Sequence, residues 1–592
     1  MVATGINDKA DYSNRNLGTS ATGLSFCIVL VILAGGGFLA YGLPFLDTIR
    51  FFLGVFVLFY IPGSLLFRSI AFHRSNFLTY PVLALATGTV AVPALYKFLR
   101  HLNYPDHYAV SLFVLCAAVW LYLVIRRPDG HATRLLPKSV DLLSSLVVLI
   151  LILVLLHFSH FTYVLLTTNG FQFRAIDMTE SVFHLGLINA ISDTYPPPII
   201  YASTAADYSA YHFNMHLQAD LLSRWFGIES LLVVSYYVPL LFFSLLAMLP
   251  YVFVRESGGK ALTGFVCAVL VFGADFSFIP SILLDLRPGF AWTSFFHTTI
   301  WALFTLNGYL PSLIALFLCI IVLRDYFREH SLAKLALFAL LAYGAFGFKS
   351  PMGLQIGAAA IGTFLVLALF DHRRKQGIYL AIVSFLALAA MLVDLGLVRS
   401  GVGSTVVRVE PLISFHNALS KLGMSGLAID WYIPMIIVVF VAGLGVRILG
   451  LWYLGTHIRQ SGAKDGTLVF LGLLFLSGYI VSELFFIGNP TGQNNAGWFY
   501  IQSLMASWFL LFMFLISIEK RKRAYFATIV GLVLLAAPST VQFLSLRASD
   551  QYVEFGHDEL QVIDFLRETD PKSVVLHPLN MDRPSLASNF AG

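Results

Sequence analysis

Asp177, Glu180, Ser181 and His184 stand at i, i+3, i+4 and i+7 in the stretch FRAIDMTESVFHLGLINAISDTYPPP, residues 173–198. On a helix this spacing gives one polar, ionisable face, while Val182, Leu185, Ile188 and Ile191 recur at helical spacing as its oily counterpart. Beyond the run Pro196–Pro198, which should be extended, His212, His216 and Asp220 repeat at i, i+4 and i+8 in YHFNMHLQADLLSRWFGI. A carboxylate in such a place takes a proton from a hydroxyl, and cations or imidazoles stabilise developing negative charge. Plainer readings fit the same residues. Asp177 and Glu180 also form a D-x-x-E capping box, and H-x3-H lacks the Glu of a metalloprotease motif.

The elements that position these residues are set by an oily chain. Apolar residues make up 58% of it and charged residues 12%, with a mean hydropathy of +0.80, which excludes a soluble globular domain. Apolar windows of roughly 18–25 residues recur along nearly the whole length, each long enough to cross a hydrocarbon core. About fifteen spans are expected, centred near residues 33, 60, 88, 116, 153, 242, 272, 317, 340, 360, 388, 443, 477, 508 and 534. A very short turn joins the pair around 340 and 360.

Charge then sets topology. Arg126, Arg127, Arg134 and Lys138, Arg373 to Lys375, and Lys520 to Arg523 all fall on one side of a fifteen-span chain, and the positive-inside rule makes that side cytoplasmic. Residues 1–20 are expected inside; residues 167–229, Lys349 and the tail 544–592 are expected outside. Residues 1–20 lack the basic flank and small-residue cleavage site of a signal peptide, so the first span is expected to be retained. Cys27, Cys116, Cys267 and Cys319 lie in predicted spans and offer no disulfide framework.

Four outer segments are long or polar enough to build a site: 167–229, 285–307, 399–430 and 487–497. The helices predicted at 177–193 and 211–228 are too polar to span, so they lie at the outer interface or re-enter the protein. Asp275, Asp394 and Glu483, at or near outer ends of spans, are secondary suspects. The stretch 289–304, GFAWTSFFHTTIWALF, reads as an interfacial segment or an ordinary aromatic belt. Gln493, Asn494 and Asn495 offer amides suited to sugar hydroxyls, or simply a polar turn.

AIDMTESVFHLGLINAISDTYPPP followed by YSAYHFNMHLQADLLSRWFGI resembles the first outer loop of the GT-C superfamily, in its poorly characterised bacterial branch. These are polytopic glycosyltransferases that use lipid-phosphate sugar donors. The resemblance extends to FGFKSPMGLQIG at 346–357, to IGNPTGQNNAGWFY at 487–500, and to 561–592, which looks like the opening helix and strand of an outer domain. It implies an all-α polytopic membrane protein, GT-C-like, with amphipathic outer-loop helices and a short α/β-like outer tail. The domains expected are a cytoplasmic tail 1–20, an added transmembrane module 21–135, a GT-C-like domain 136–543 and the outer tail 544–592. GT-C enzymes often place the loop directly after their first span, and relatives can carry a sizeable domain where this chain has 544–592.

Matched residue by residue, the resemblance implies Asp177 as the catalytic carboxylate. Arg174, His184 and Lys349 are then the candidates for the donor phosphate, with Tyr211, His212, His216, Asn494 and Asn495 for substrate. No cofactor is required by any motif; a divalent metal on His212, His216 and Asp220 stays open. The implied reaction is sugar transfer from a polyprenyl-phosphate donor to a glycan, lipid or protein acceptor at the outer face of a bacterial inner membrane, without nucleic acid. The alternatives are a transporter or flippase of lipid-linked sugars, or a non-catalytic relative. The first would show repeats and ionisable groups within the spans. A hydrolase lacks HExxH, GxSxG or paired Asp residues.

Overall fold

Backbone polar groups in hydrocarbon must be satisfied within their own segment, so apolar runs of this kind form helices. The computed structural model describes residues 35–39, 42–68, 78–102, 106–126, 139–159, 164–167, 170–174, 178–193, 200–201, 206–207, 212–273, 276, 308–370, 374–398, 406–412, 432–462, 464–488, 496–548 and 552–555.

The first helices are α1 (Phe45–Gly54) and α2 (Ile61–Arg68), joined by a π-helical turn, then α3 (Thr79–His101), α4 (Asp106–Arg126) and α5 (Ser139–Ser159). The loop region follows with β1 (Val164–Thr167), β2 (Gly170–Arg174), α6 (Met178–Asp193), β3 (Ile200–Tyr201), β4 (Ala206–Asp207) and α7 (Asn214–Phe226). Next come α8 (Ser230–Leu232), α9 (Val238–Glu256), α10 (Ala261–Leu270), α11 (Tyr309–Arg328), α12 (Leu332–Phe348), α13 (Ser350–Phe370) and α14 (Arg374–Val398). The chain continues through β5 (Val406–Val409), α15 (Tyr432–Leu444), α16 (Ile448–Ser461), α17 (Gly466–Leu484), β6 (Phe485–Gly488), α18 (Gly497–Ile518), α19 (Lys522–Ala548) and β7 (Tyr552–Phe555).

Among the described residues eleven helices are long and apolar enough to cross a membrane, fewer than the count of about fifteen expected. Three expected spans are shorter apolar helices, Ser144–His157, Ala261–Leu270 and Leu332–Phe348. The span expected near residue 33 falls largely outside the described residues. Hydropathy registers apolar residues without distinguishing a lipid-facing helix from one enclosed by others. A helix such as α12, much of it buried against its neighbours, is not held to the full hydrocarbon thickness. The tight pair at 340 and 360 is found: Lys349 alone separates α12 from α13.

The middle of the bundle is α11, buried from Tyr309 to Arg324, packed against α3, α9, α12 and α17. α3, from the segment expected as an added module, also touches α7, α9 and α12. It crosses the α1–α2 region at Gly63 and Gly88, where a Cβ on either would run into the other segment's backbone. Glycine allows that approach.

Side-chain and strand pairings sort the loops into two ends. At one end β2 pairs antiparallel with β7, β5 pairs with β6, and Arg224 reaches Asp106. At the other, Lys334 meets Asp325 and Glu329, Tyr326 donates to the Gln376 carbonyl, and the Lys260 amide donates to Glu519. The basic loops near 374 and 520 therefore lie opposite the end that carries α6 and α7.

Candidate functional site

The two polar helices read from the sequence are present as α6 and α7, and they pack against each other. Their apolar positions Leu185, Ile188 and Ile191 are buried, and α7 is buried continuously from Asn214 to Leu222. Of the two placements expected, surface or re-entrant, α7 takes the second.

His184 of α6 and His216 of α7 join the helices. Nδ1 of His184 lies 2.8 Å from Nε2 of His216, with the ring centroids 5.0 Å apart. One ring nitrogen donates and the other accepts, so the bond exists only while at least one ring is neutral. Burial, then the neighbouring His184, holds the His216 pKa well below the ordinary imidazole value. Burial likewise lowers His212, helped by Lys349, His216, His184 and Lys97. With their pKa values held down, His212 and His216 are neutral at neutral pH.

His212 does not stand on the helical face expected for it, because α7 starts only at Asn214. It precedes the cap residue Phe213, and its ring packs beside Gly308. Asn214 anchors this start by donating to the Gly344 carbonyl of α12 at 3.3 Å. A side chain at Gly347 would occupy the space that Asn214 fills.

Directly after α12 stands Lys349, buried at 7% exposure. Its ammonium lies 3.7 Å from the centre of the Trp498 ring. Trp498 in turn packs on Tyr309, with centroids 5.6 Å apart. A cation over an indole face is held by the ring quadrupole. Sequence reasoning reached Lys349 but not Trp498 or Tyr309. The signal for them was an aromatic residue opening each of two spans on this face.

Asp220 turns away from the histidines. It accepts from Ser192 Oγ at 2.5 Å and from Arg224 at 3.0 Å, while Arg224 also donates to Asp106 at 2.6 Å and to Tyr96 at 2.6 Å. Arg100 adds a bond to the Ile191 carbonyl at 2.8 Å. Burial raises the Asp220 pKa against the pull of Ser192 and Arg224. This network ties the end of α6 to α3, α4 and α7. The trio His212, His216 and Asp220 is therefore not assembled around a common point, because Arg224 and Ser192 compensate the buried carboxylate. Among the described residues no group of three or more His, Cys, Asp or Glu is placed to hold a metal ion.

Asp394, a secondary suspect, is buried and paired with Lys97 of α3, and Tyr343 donates to the same carboxylate at 3.2 Å. The sequence reading missed Lys97, although a lone lysine inside an apolar run is a signal in itself. Glu483 stands in the last turn of α17, where its carbonyl accepts from the Leu412 amide at 2.5 Å. Asp177, Tyr211, Asp275, Gln493, Asn494, Asn495 and the stretch 289–304 lie outside the described residues. Arg174 closes β2, opposite Tyr552.

No protein-family model matches the chain, and no curated protein matches it. Among solved structures it is similar to the archaeal oligosaccharyltransferase AglB from Archaeoglobus fulgidus in complex with an inhibitory peptide and a dolichol-phosphate, with a TM-score of 0.39 and 14% identity over 73% of this chain and 58% of that one. It is also similar to the Archaeoglobus fulgidus oligosaccharyltransferase tethered with an acceptor peptide containing the NVT sequon, with a TM-score of 0.43 and 12% identity over 73% of this chain and 57% of that one. The chain thus spans less than two thirds of the length of these proteins.

Proposed function

We propose that this chain is a membrane glycosyltransferase that moves a sugar from a polyprenyl-phosphate donor to an acceptor hydroxyl at the outer face of the membrane. The observation that carries the reading is the convergence, at one end of an apolar bundle, of Lys349 with His212 and of His212 with the bonded pair His184 and His216. These groups come from α6, from the start of α7 and from the α12–α13 turn. In the sequence Asp177 directly precedes Met178, the first residue of α6.

In this reading the acceptor oxygen attacks the anomeric carbon as its proton passes to Asp177, and the bond from that carbon to the phosphate oxygen breaks. Positioned base help of this kind is worth about 10²–10⁴-fold. The departing lipid phosphate needs positive charge, supplied by Lys349 and Arg174 with a hydrogen bond from His184. Tyr211, His212, His216, Asn494 and Asn495 are assigned to the sugar and acceptor. A divalent metal is a further proposal, decided by running the assay with and without chelator.

The test is incubation of the purified protein with labelled polyprenyl-phosphate sugars, scoring both transfer and donor hydrolysis. Neither product from any donor would sink the reading. A second reading, translocation of a lipid-linked sugar, is favoured by the buried Lys97–Asp394 pair, because ionisable groups between spans mark transport paths. Movement of a labelled donor across reconstituted vesicles without chemical change would select it.

A further inference from the structure

β2, separated from α6 by three residues, is paired on both sides, and one of its partners comes from far along the chain. β1 and β2 form a hairpin, and β7 from the tail completes a three-stranded sheet in the order β1-β2-β7. Phe171 faces Phe555, Gln172 faces Glu554, Phe173 faces Val553 and Arg174 faces Tyr552. An isolated hairpin is marginally stable at best, and a third strand is what makes a small sheet persist. β2 ends at Arg174 and α6 begins at Met178, so the sheet sets where the link holding Asp177 leaves and α6 starts. The far end of α6 is already held by Asp220 and Arg100.

We infer that Tyr552–Phe555 is a positioning element of the functional site, a strand that holds the Asp177 segment in register although it contributes no reacting group. Its effect on catalysis rests on the glycosyl-transfer reading; the pairing and its effect on the loop do not. Misplacement by about 1 Å at a reacting group can cost about 10²-fold in rate. Loss of the strand should therefore lower kcat more than donor KM.

Three measurements on the full-length protein in membranes test this. Gln172→Cys with Glu554→Cys places two thiols on facing residues, at a cross-strand Cα separation of about 4.5–5.5 Å that suits a disulfide. It should cross-link on mild oxidation. Gln172→Cys with Val553→Cys, on opposite faces of the sheet, should not. Val553→Pro with Glu554→Pro removes whichever of two alternating amides bonds to β2, whereas the matching double alanine variant keeps both. The proline pair should lower kcat at least about tenfold with donor KM little changed, and the alanine pair should leave kcat near wild type. A cysteine at 177, from Asp177→Cys, should react several-fold faster with a soluble thiol reagent in the proline pair than in the alanine pair. Failure to cross-link overturns the pairing. Equal labelling rates, or equal kcat in an active enzyme, overturn the positioning role. A wild-type protein silent with every donor overturns the glycosyl-transfer reading instead, and labelling still decides the role of the strand.

Discussion

The Lys349 ammonium sits 3.7 Å from the centre of the Trp498 ring, a contact between the turn joining α12 to α13 and the second residue of α18. It makes a buried cation part of the bundle end that carries α6 and α7. An indole face lowers the cost of burying an ammonium without neutralising it, by about 0.5–2 kcal/mol.

Lys349→Gln should lower sugar transfer by about 10²–10³-fold, the usual loss on removing one charge-stabilising group. Trp498→Leu leaves the charge and removes its platform, so a loss of about tenfold is expected. Steady-state kinetics on both variants checks the order. A larger loss for Trp498→Leu than for Lys349→Gln would mean that the ring, and not the cation, is the working group.

Stability should fall on the acid side. His212 and His216 are held by burial well below their ordinary value of 6.5. Below pH 6.5 the unfolded chain takes up protons that the folded one refuses, so the fold loses stability as pH falls through that region and gains nothing above it. Asp220 acts in the opposite sense. Its pKa is raised above 3.8, so it weakens the fold as pH rises from 3.8 through the raised value. Melting in detergent at pH 7.5 and 5.5 should give a lower midpoint at 5.5, and His212→Asn with His216→Asn should flatten the difference.

The Lys97–Asp394 pair should be far more costly to halve than to remove. Asp394→Asn leaves a buried ammonium uncompensated and should destabilise by about 3–5 kcal/mol. Lys97→Met with Asp394→Leu should recover most of that. Melting of the two variants gives the comparison, and equal loss in both would show that the pair is held by something other than its own charge balance.

Asp177→Asn separates a base from a cap. Asparagine caps a helix about as well as aspartate, so stability should change by well under about 1 kcal/mol, while transfer should drop by about 10²–10⁴-fold. A folded, inserted variant with near wild-type transfer would make Asp177 a cap and move the catalytic assignment elsewhere.

The amino-acid sequence by itself determined the membrane class, the positions of most spans, the two polar loop helices and the opposition of basic loops to the loop 167–229. Each of these follows from local properties, namely apolar run length, helical spacing of polar residues and net basic charge between spans. His184, His216 and Lys349 were legible because ionisable residues in an oily chain are few. Their partners were not. The bond between His184 and His216, the ring of Trp498 under Lys349, the pairing of Lys97 with Asp394 and the strand that joins 171–174 to 552–555 link residues far apart in the chain. Periodicity has no term for such pairs. The tertiary structure also diverted Asp220 from the histidines to Arg224 and Ser192, and set His212 before α7 instead of on it. A buried charge goes to whichever compensating group the packing brings within reach, and only the folded chain decides which group that is.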